Sequence, residues 1–316
     1  MELAVEIAAS AFEVSVLMHQ VYFPESFHYG GFVSNGINRI KQNKMDYKVM
    51  RPPQQLADYV RFIWFLETDV STDRPFIHHA FAHHCPEVLF CYKGQFRHQS
   101  GFKEEQKLIS GVYGQTHTFS KVVSNAAFGI FGFYLYPYAF TQLFSVPANE
   151  LTNQSVDIKT LCGKEGEILE EKMMLATNND HRLTLVCDFL EARLKNIRTA
   201  YNTICASIKA ISNAYTEISV RSLAETNFLS LRQFERRFKE LSGFSPQLFL
   251  RIAKFNSLLG KAFQNKSLTD IAYEYGYYDP AHFTHDFQKF SNQTPKAYFN
   301  AQTISASDRG TVDFEI

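Results

Sequence analysis

The chain of 316 residues contains 45% hydrophobic and 20% charged residues, and its 32 basic side chains balance 32 acidic ones. This length is enough for two domains, and the composition is typical of a globular protein. No apolar run reaches the roughly 18 residues of a membrane-spanning helix, and the N-terminus lacks the pattern of a secretory signal. The five cysteines form no C-x-x-C pair, so we expect a cytoplasmic protein with reduced thiols and no zinc knuckle. The lack of a long apolar run predicts no membrane association.

Residues 1–44 have only loosely spaced apolar positions and a turn-rich stretch, and Met45 begins a more regular pattern. The first 44 residues are therefore interpreted as an extension or mobile arm. Residues 45–197 are predicted to form a β-rich sensing or dimerisation domain. Residues 198–300 are predicted to form a helical domain, and residues 301–316 a tail.

The β-rich region contains short runs of β-branched and aromatic residues separated by turns. The clearest runs are VRFIWFLE, EVLFCYK, KLISGVYG and FGIFGFYLY. Runs at this spacing predict an antiparallel sandwich or barrel. Two helical patterns follow, over residues 165–176 and 182–195. The second pattern has an apolar stripe that either covers the sheet or forms a dimer seam; its members are Leu183, Val186, Leu190 and Leu194.

Two features of this region suggest a ligand. The chain has 30 Phe and 16 Tyr, and many of them lie between residues 119 and 144; they form either hydrophobic core or the wall of an apolar pocket for a small-molecule effector. The segment FIHHAFAHHCPE contains possible metal ligands, namely His78, His79, His83, His84 and Cys85. This spacing fits no defined zinc pattern, and neighbours on a strand point to opposite faces. A polar strand edge or a pH-sensitive loop is the alternative.

The C-terminal third contains an internal duplication. Residues 230–250 and 279–299 align at an offset of 49. The aligned pairs are Phe234 with Phe283, Phe238 with Phe287, Leu241 with Phe290, Ser242 with Ser291, Pro246 with Pro295, and Phe249 with Tyr298. Upstream, Leu223-Ala224 matches Ile271-Ala272 at an offset of 48, so the second copy has one inserted residue. A repeat of this size indicates one supersecondary unit used twice.

Each copy has the signals of a helix-turn-helix. In the first, Ser230 with Gln233 predicts a capping box, and Gly243 predicts the end of the second helix. In the second, Asp279 is the predicted N-cap, and Pro280 takes the first helical position. Asn292 takes the place of Gly243, because Asn also adopts the left-handed conformation. A linking helix is predicted over residues 247–263.

The second helix of each copy has a solvent-facing side that we predict to bind DNA. In the first copy this side comprises Arg232, Glu235, Arg236 and Lys239. In the second it comprises Ala281, Thr284, His285 and Gln288. Arginine reads guanine in the major groove through a bidentate contact. For a single unit, a generic helical hairpin with a solvated charged face explains the pattern equally well, whereas two copies favour DNA recognition.

Residues 218–299 resemble the DNA-binding domain of the AraC/XylS family, and the segments that carry the resemblance are 223–246 and 268–299. The resemblance implies that the second helix of each unit enters the major groove. The base-reading candidates that it implies are Arg232, Glu235 and Arg236, then Ala281, Thr284 and His285. Short side chains at two of these positions, and His285 where Arg is frequent, point to phosphate binding by the second unit. The N-terminal region resembles, over segments 50–67, 85–92, 110–116 and 131–153, an uncharacterised β-rich domain of such regulators.

The sequence thus predicts an α+β multidomain protein, with a β-rich sandwich or barrel and flanking helices, followed by an all-α double helix-turn-helix domain. Its expected function is transcription regulation through double-stranded DNA. A small-molecule effector, a second copy of the chain and RNA polymerase are further candidate partners. No nucleophile motif, phosphate loop or paired carboxylates indicate catalysis, and no cofactor is expected. The alternatives are a cupin-like metal-binding enzyme with a helical appendage and a helical protein-interaction module.

Overall fold

A computed structural model describes residues 37–42, 45–70, 72, 75–100, 106–107, 110–195, 197, 203–213, 218–259 and 266–300. Most of the predicted arm and all of the predicted tail lie outside these ranges. Residues 37–42, which belong to the predicted arm, form a strand that pairs with residues 45–50. No helix in the described ranges is long and apolar enough to cross a membrane.

The N-terminal half is built from antiparallel strands. They are β1 (Ile37–Gln42), β2 (Met45–Met50), β3 (Val60–Thr68), β4 (Phe76–Ala80), β5 (Glu87–Lys93), β6 (Arg97–Ser100), β7 (Gln106–Lys107), β8 (Gly111–Tyr113), β9 (Ser120–Ser124), β10 (Phe128–Leu135) and β11 (Ser155–Asp157). One sheet has the order β1-β2-β3-β10-β5-β8-β11, and the other has the order β4-β9-β6-β7. The predicted runs at β3, β5 and β10 are confirmed. The run KLISGVYG contributes only β8 and the end of β7.

The central strand β10 is buried at every position, because the larger sheet is covered on both sides. Successive side chains of a strand point to opposite faces. On one face, Trp64 and Ile130 pack in a core shared with the smaller sheet. On the other, Phe131 and Phe133 pack in a core that continues into the helices. Burial on both faces explains why FGIFGFYL reads as a continuous apolar run rather than an alternating one.

The main helices are α1 (Pro137–Phe144), α2 (Ile158–Cys162), α3 (Lys164–Leu175), α4 (Asn179–Leu194), α5 (Thr203–Asn213), α6 (Val220–Thr226), α7 (Leu231–Ser242), α8 (Pro246–Leu258), α9 (Leu268–Glu274) and α10 (Pro280–Ser291). A short helix over residues 295–300 follows them. The protein is therefore α+β, with a β-rich region followed by an all-helical region.

Two helices test predictions about packing. On α4, Val186 and Leu190 are buried, and Leu183 and Leu194 pack against the same core. The stripe therefore packs into the core of its own chain, where α4 contacts α1 and α3. The linking helix is shorter than predicted: α8 ends at Leu258, because Leu259 has an extended ψ of 140°.

Candidate nucleic-acid interface

The first helix-turn-helix unit consists of α6 and α7, and its helix ends are closed as the sequence predicts. The Ser230 hydroxyl accepts a hydrogen bond from the Gln233 backbone, and the Gln233 side chain accepts one from the Ser230 backbone. This reciprocal pair is the predicted capping box. At the other end, Gly243 has a φ of +82° and ends the helix in the left-handed conformation.

The second unit consists of α9 and α10. The Asp279 carboxylate accepts a 2.7 Å hydrogen bond from the His282 backbone, and Pro280 is the first helical residue. Asn292 ends α10 with a φ of +59°, as the alignment with Gly243 predicts. The helix α9 has its own capping box between Ser267 and Asp270, which the sequence analysis missed although the S-x-x-D spacing was visible.

The aromatic cores of the two units are equivalent. In the first, the ring centroids of Phe234 and Phe238 lie 5.6 Å apart, and those of Phe238 and Phe249 lie 5.4 Å apart. The corresponding rings of the second unit, Phe283, Phe287 and Tyr298, are separated by 5.8 Å and 5.3 Å. The sequence repeat is thus a repeat of structure.

The two turns also match, and they locate the inserted residue. The Leu229 N–H donates to the Ala224 carbonyl at 3.0 Å, and the Tyr277 N–H donates to the Ala272 carbonyl at 2.9 Å. The residue before each donor has a positive φ. The turns therefore coincide up to Tyr277, and Tyr278 is the extra residue.

The solvent-facing side of α7 is accessible. Arg232, Arg236 and Lys239 are exposed, and Glu235 is half-buried. The Arg236 guanidinium donates to the Glu240 carboxylate at 2.9 Å, one helical turn away. Exposed pairs of this kind contribute only about 0.3–0.5 kcal/mol, so a phosphate or a guanine can replace Glu240 as the partner.

The solvent-facing side of α10 is less basic. Ala281, His285 and Gln288 are exposed, whereas Thr284 is half-buried. The Thr284 hydroxyl donates to the Pro280 carbonyl at 2.9 Å, so this side chain already has a partner within the helix.

A buried ion pair that the sequence analysis did not predict connects α8 to α10. The Asp286 side chain is fully buried and receives two hydrogen bonds from the Arg251 guanidinium, one of them 2.9 Å long from Nε. The hydrogen bonds to Asp286 raise the pKa of Arg251. The two residues are 35 positions apart, so no local pattern indicates that they meet.

The C-terminal end of α7 contacts the β-rich half. The Thr152 hydroxyl donates to the Gly243 carbonyl at 3.0 Å. The Gln115 amide, which donates to the Ala148 carbonyl at 2.6 Å, lies so close to Gly243 that a Cβ there would overlap its nitrogen. Glycine is therefore required at this position both for the left-handed turn and for the close approach.

The C-terminal end of α10 contacts the β-rich half through the segment after β4. The Ala82 N–H donates to the Phe290 carbonyl at 2.9 Å, one of the carbonyls that a helix end leaves without an internal partner. The Asn256 Nδ2 of α8 donates to the Ala82 carbonyl at 2.7 Å, and Asn256 Oδ1 accepts from His84 Nδ1 at 3.1 Å. Both second helices are thus held at their C-terminal ends, while their N-terminal halves face solvent.

Comparison with known proteins agrees with this geometry. Residues 223–301 match a family described as "Helix-turn-helix domain". The transcriptional activator RhaS of Escherichia coli (strain SE11) is 32% identical over 110 residues, which are 34% of this chain and 38% of RhaS. These matches confirm the resemblance of the C-terminal domain to the helix-turn-helix domains of AraC/XylS regulators. Because the match spans well under half of the relative, it concerns the helix-turn-helix domain.

Outside the helix-turn-helix domain, residues 48–157 match a family described as "Domain of unknown function (DUF6597)". Among solved structures, ToxT from Vibrio cholerae is 10% identical and covers 82% of this chain and 99% of its own, with a TM-score of 0.41. The DNA-binding domain of AdpA, solved with a target DNA, is 21% identical and covers 35% of this chain and 100% of its own, with a TM-score of 0.31.

His83 and His84 of the histidine segment are used for packing. His84 lies 4.8 Å from the Phe249 ring, and His83 Nδ1 lies 2.8 Å from the Cys85 carbonyl. Burial lowers the pKa of His83 to about 4 and that of His84 to about 3. In the described ranges, no three His, Cys, Asp or Glu side chains are grouped so that they could hold a metal.

The aromatic residues between 119 and 144 belong largely to the hydrophobic core, among them Phe128, Phe131, Phe133 and Tyr138. This confirms the core interpretation for these residues. A crevice between the sheet and α8 is too narrow to admit even a water molecule, so it is no pocket for a small-molecule ligand. Its lining residues are Arg61, Phe62, His83, His84, Cys85, Tyr134 and Asn256.

Proposed function

We propose that the protein is a sequence-specific transcription regulator, rather than an enzyme, that binds double-stranded DNA through α7 and α10. The observation that carries the proposal is the pair of equivalent capped helices whose C-terminal ends are held and whose N-terminal halves are exposed. The N-terminal end is the part of a recognition helix that contacts base edges in a major groove. The name of RhaS favours activation as the direction of control, and the cytoplasm is the compartment in which we place it.

Each exposed residue of α7 and α10 has a role in this proposal. Arg232 and Arg236 reach guanine, and Glu235 accepts a hydrogen bond from cytosine. Lys239 binds phosphate, because it lies farther from the N-terminal end of the helix. On α10, the short side chain of Ala281 suits a thymine methyl group; the other candidates there, Thr284, His285 and Gln288, position the helix through phosphates.

The β-rich half regulates this activity in the proposal. It contacts the end of α7 through Thr152 and the end of α10 through Ala82, so a shift in its packing changes the relative placement of the two recognition helices. A small-molecule effector or pairing with a second copy would provide such a shift. RNA polymerase is the proposed partner at the promoter.

The test begins with selection of duplexes from a random-sequence pool by the purified full-length protein. Binding of the selected duplex and of a scrambled duplex is then measured by fluorescence anisotropy at several salt concentrations. We expect affinity to fall steeply with salt, because cationic side chains release counterions from the phosphates. Failure to enrich any sequence would contradict the proposal.

Arg236→Ala is the first variant to compare in this assay. Loss of a bidentate guanine contact costs about 1–3 kcal/mol on the specific site, so we expect affinity for the selected duplex to fall by about 5-fold to 150-fold and affinity for the scrambled one to fall little. Lys239→Ala is the matched control: it should weaken both duplexes alike and reduce the salt slope by about one. Equal losses for Arg236→Ala on both duplexes would exclude base reading by this residue.

A further inference from the structure

The turn of each helix-turn-helix unit carries an aromatic side chain that faces solvent. Phe228 in the first turn is 95% exposed, and Tyr278 in the second turn is 91% exposed. Burial of a Phe side chain is among the larger gains available to a folding chain. At position 228 the fold forgoes that gain.

Phe228 also has an unfavourable backbone conformation. Its φ is +54°, in the left-handed region where the Cβ of an L-residue is crowded and glycine is favoured. The equivalent residue of the second turn is Gly276, with a φ of +68°. In the described ranges, the other non-glycine residues with a positive φ are small or polar: Ser145, Asn153 and Asn292.

A bulky apolar residue that is both strained and exposed lowers stability, and such residues occur preferentially at binding sites. The second unit shows that glycine closes the same turn without strain. The ring at position 228 therefore calls for a role outside the folding of the chain.

The position of the turn identifies the partner. In a docked helix-turn-helix, the first helix crosses the DNA backbone, and the N-terminal residues of the second helix contact base edges. The turn between them lies at the groove edge, beside the deoxyribose and its phosphates. Phe228 is two residues before the N-cap Ser230, and the exposed cations Arg232 and Arg236 follow on α7. The surface next to the ring thus has the charge that complements DNA.

We propose that the Phe228 ring packs against deoxyribose carbons at the edge of the groove occupied by α7, and that Tyr278, the extra residue of the second turn, makes a similar contact beside α10. The inference rests on the proposed DNA-binding function. The contact is apolar and independent of sequence, because every nucleotide presents the same sugar. The Tyr278 hydroxyl can also donate to a phosphate oxygen.

The test uses the full-length protein with the selected and the scrambled duplex, measured by anisotropy across a range of salt. Phe228→Gly removes the ring and relieves the backbone strain. We expect both affinities to fall by the same factor, roughly fivefold, with an unchanged salt slope because no charge is lost. The thermal unfolding midpoint should rise by about 2 °C, so a folding defect cannot explain the weaker binding.

Two variants serve as controls. Asn also tolerates the left-handed backbone, so Phe228→Asn removes the ring in a second way. Its affinity for both duplexes should fall as much as that of Phe228→Gly. Phe228→Tyr keeps the ring and should bind within about twofold of the wild type.

Three outcomes would overturn the inference. The first is that Phe228→Gly binds both duplexes as tightly as the wild type. If that variant also changed the oligomeric state, the ring would face a protein partner. A loss confined to the selected duplex would indicate a base contact or a displaced helix. If the wild type binds no duplex at all, the proposed function fails together with this inference, which distinguishes that failure from the other two.

Discussion

Asp286 connects the second recognition helix to α8. Its carboxylate is fully buried on the inner side of α10 and pairs with the Arg251 guanidinium of α8. His282 Nε2 and His285 Nδ1 each lie 3.7 Å from the same carboxylate. A change at Asp286 therefore affects both the attachment of the helix and the electrostatic environment of the exposed candidate His285.

Asp286→Asn tests this role. The variant keeps the size of the side chain but leaves Arg251 without its charged bidentate partner, and we expect the free energy of unfolding to fall by about 2 kcal/mol. Glu274→Gln is the matched control, because Glu274 forms an exposed pair with Lys266 at 2.6 Å, which should contribute less than about 1 kcal/mol. Urea unfolding measures both, and equal effects would show that burial of the pair has no energetic consequence.

At the scale of elements, the end of α7 is the point where a recognition helix meets the β-rich half. Gly243 provides the left-handed turn, and its carbonyl accepts from the Thr152 hydroxyl. Gly276 also has a positive φ, but the space at its Cβ position is open except for the flexible end of Lys254. Substitution of both glycines introduces backbone strain, whereas substitution of Gly243 also disturbs the contact between the two halves. A comparison of the two variants therefore distinguishes these two costs.

Gly243→Ala should lower the free energy of unfolding by about 3 kcal/mol, because the left-handed strain adds to a steric overlap with Gln115. Gly276→Ala should cost about 1 kcal/mol, from strain alone. The comparison is made by urea unfolding of both variants. Similar decreases in the free energy of unfolding would mean that the Gln115 side chain moves aside at little cost.

At the scale of the whole molecule, the β-rich and helical halves meet around a neutral histidine. His84 pairs with Asn256 and packs on Phe249. Burial, followed by the nearby Arg61 charge, lowers the pKa of His84 to about 3. Protonation would place a charge at the contact between the halves, and the fold therefore favours neutral His84.

This arrangement predicts a loss of stability in acid. A histidine with an ordinary pKa near 6.5 takes up its proton in the unfolded chain first, so unfolding becomes more favourable as the pH falls from about 6.5 towards 3. Thermal midpoints measured across this range should fall for the wild type and fall less for His84→Gln. Glu87 acts in the opposite sense, because burial raises the pKa of its carboxyl. Parallel profiles for the two proteins would exclude His84 as a source of the acid sensitivity.

Local features could be predicted because their partners lie within one or two turns of helix. The capping box at Ser230, the N-cap Asp279 and the left-handed Asn292 each depend on residues three or four positions away. The aromatic core of the duplicated unit was also predictable, since its spacing repeats at 49 residues. These signals were sufficient for the family and for the faces that we propose to contact DNA.

The remaining features depend on long-range packing, which a pattern read along the chain does not contain. The runs at β3, β5 and β10 were predicted as strands, but their order in the sheet depends on pairing between segments far apart in sequence. Asp286 with Arg251, and Ala82 with the end of α10, join segments far apart in sequence. The exposure of Phe228 is of the same kind, because a hydrophobic residue in a turn reads as core until the surrounding surface is known. The free energy of each such contact depends on how completely the neighbouring groups exclude water from it. Those neighbours come from distant parts of the sequence and meet only in the folded chain.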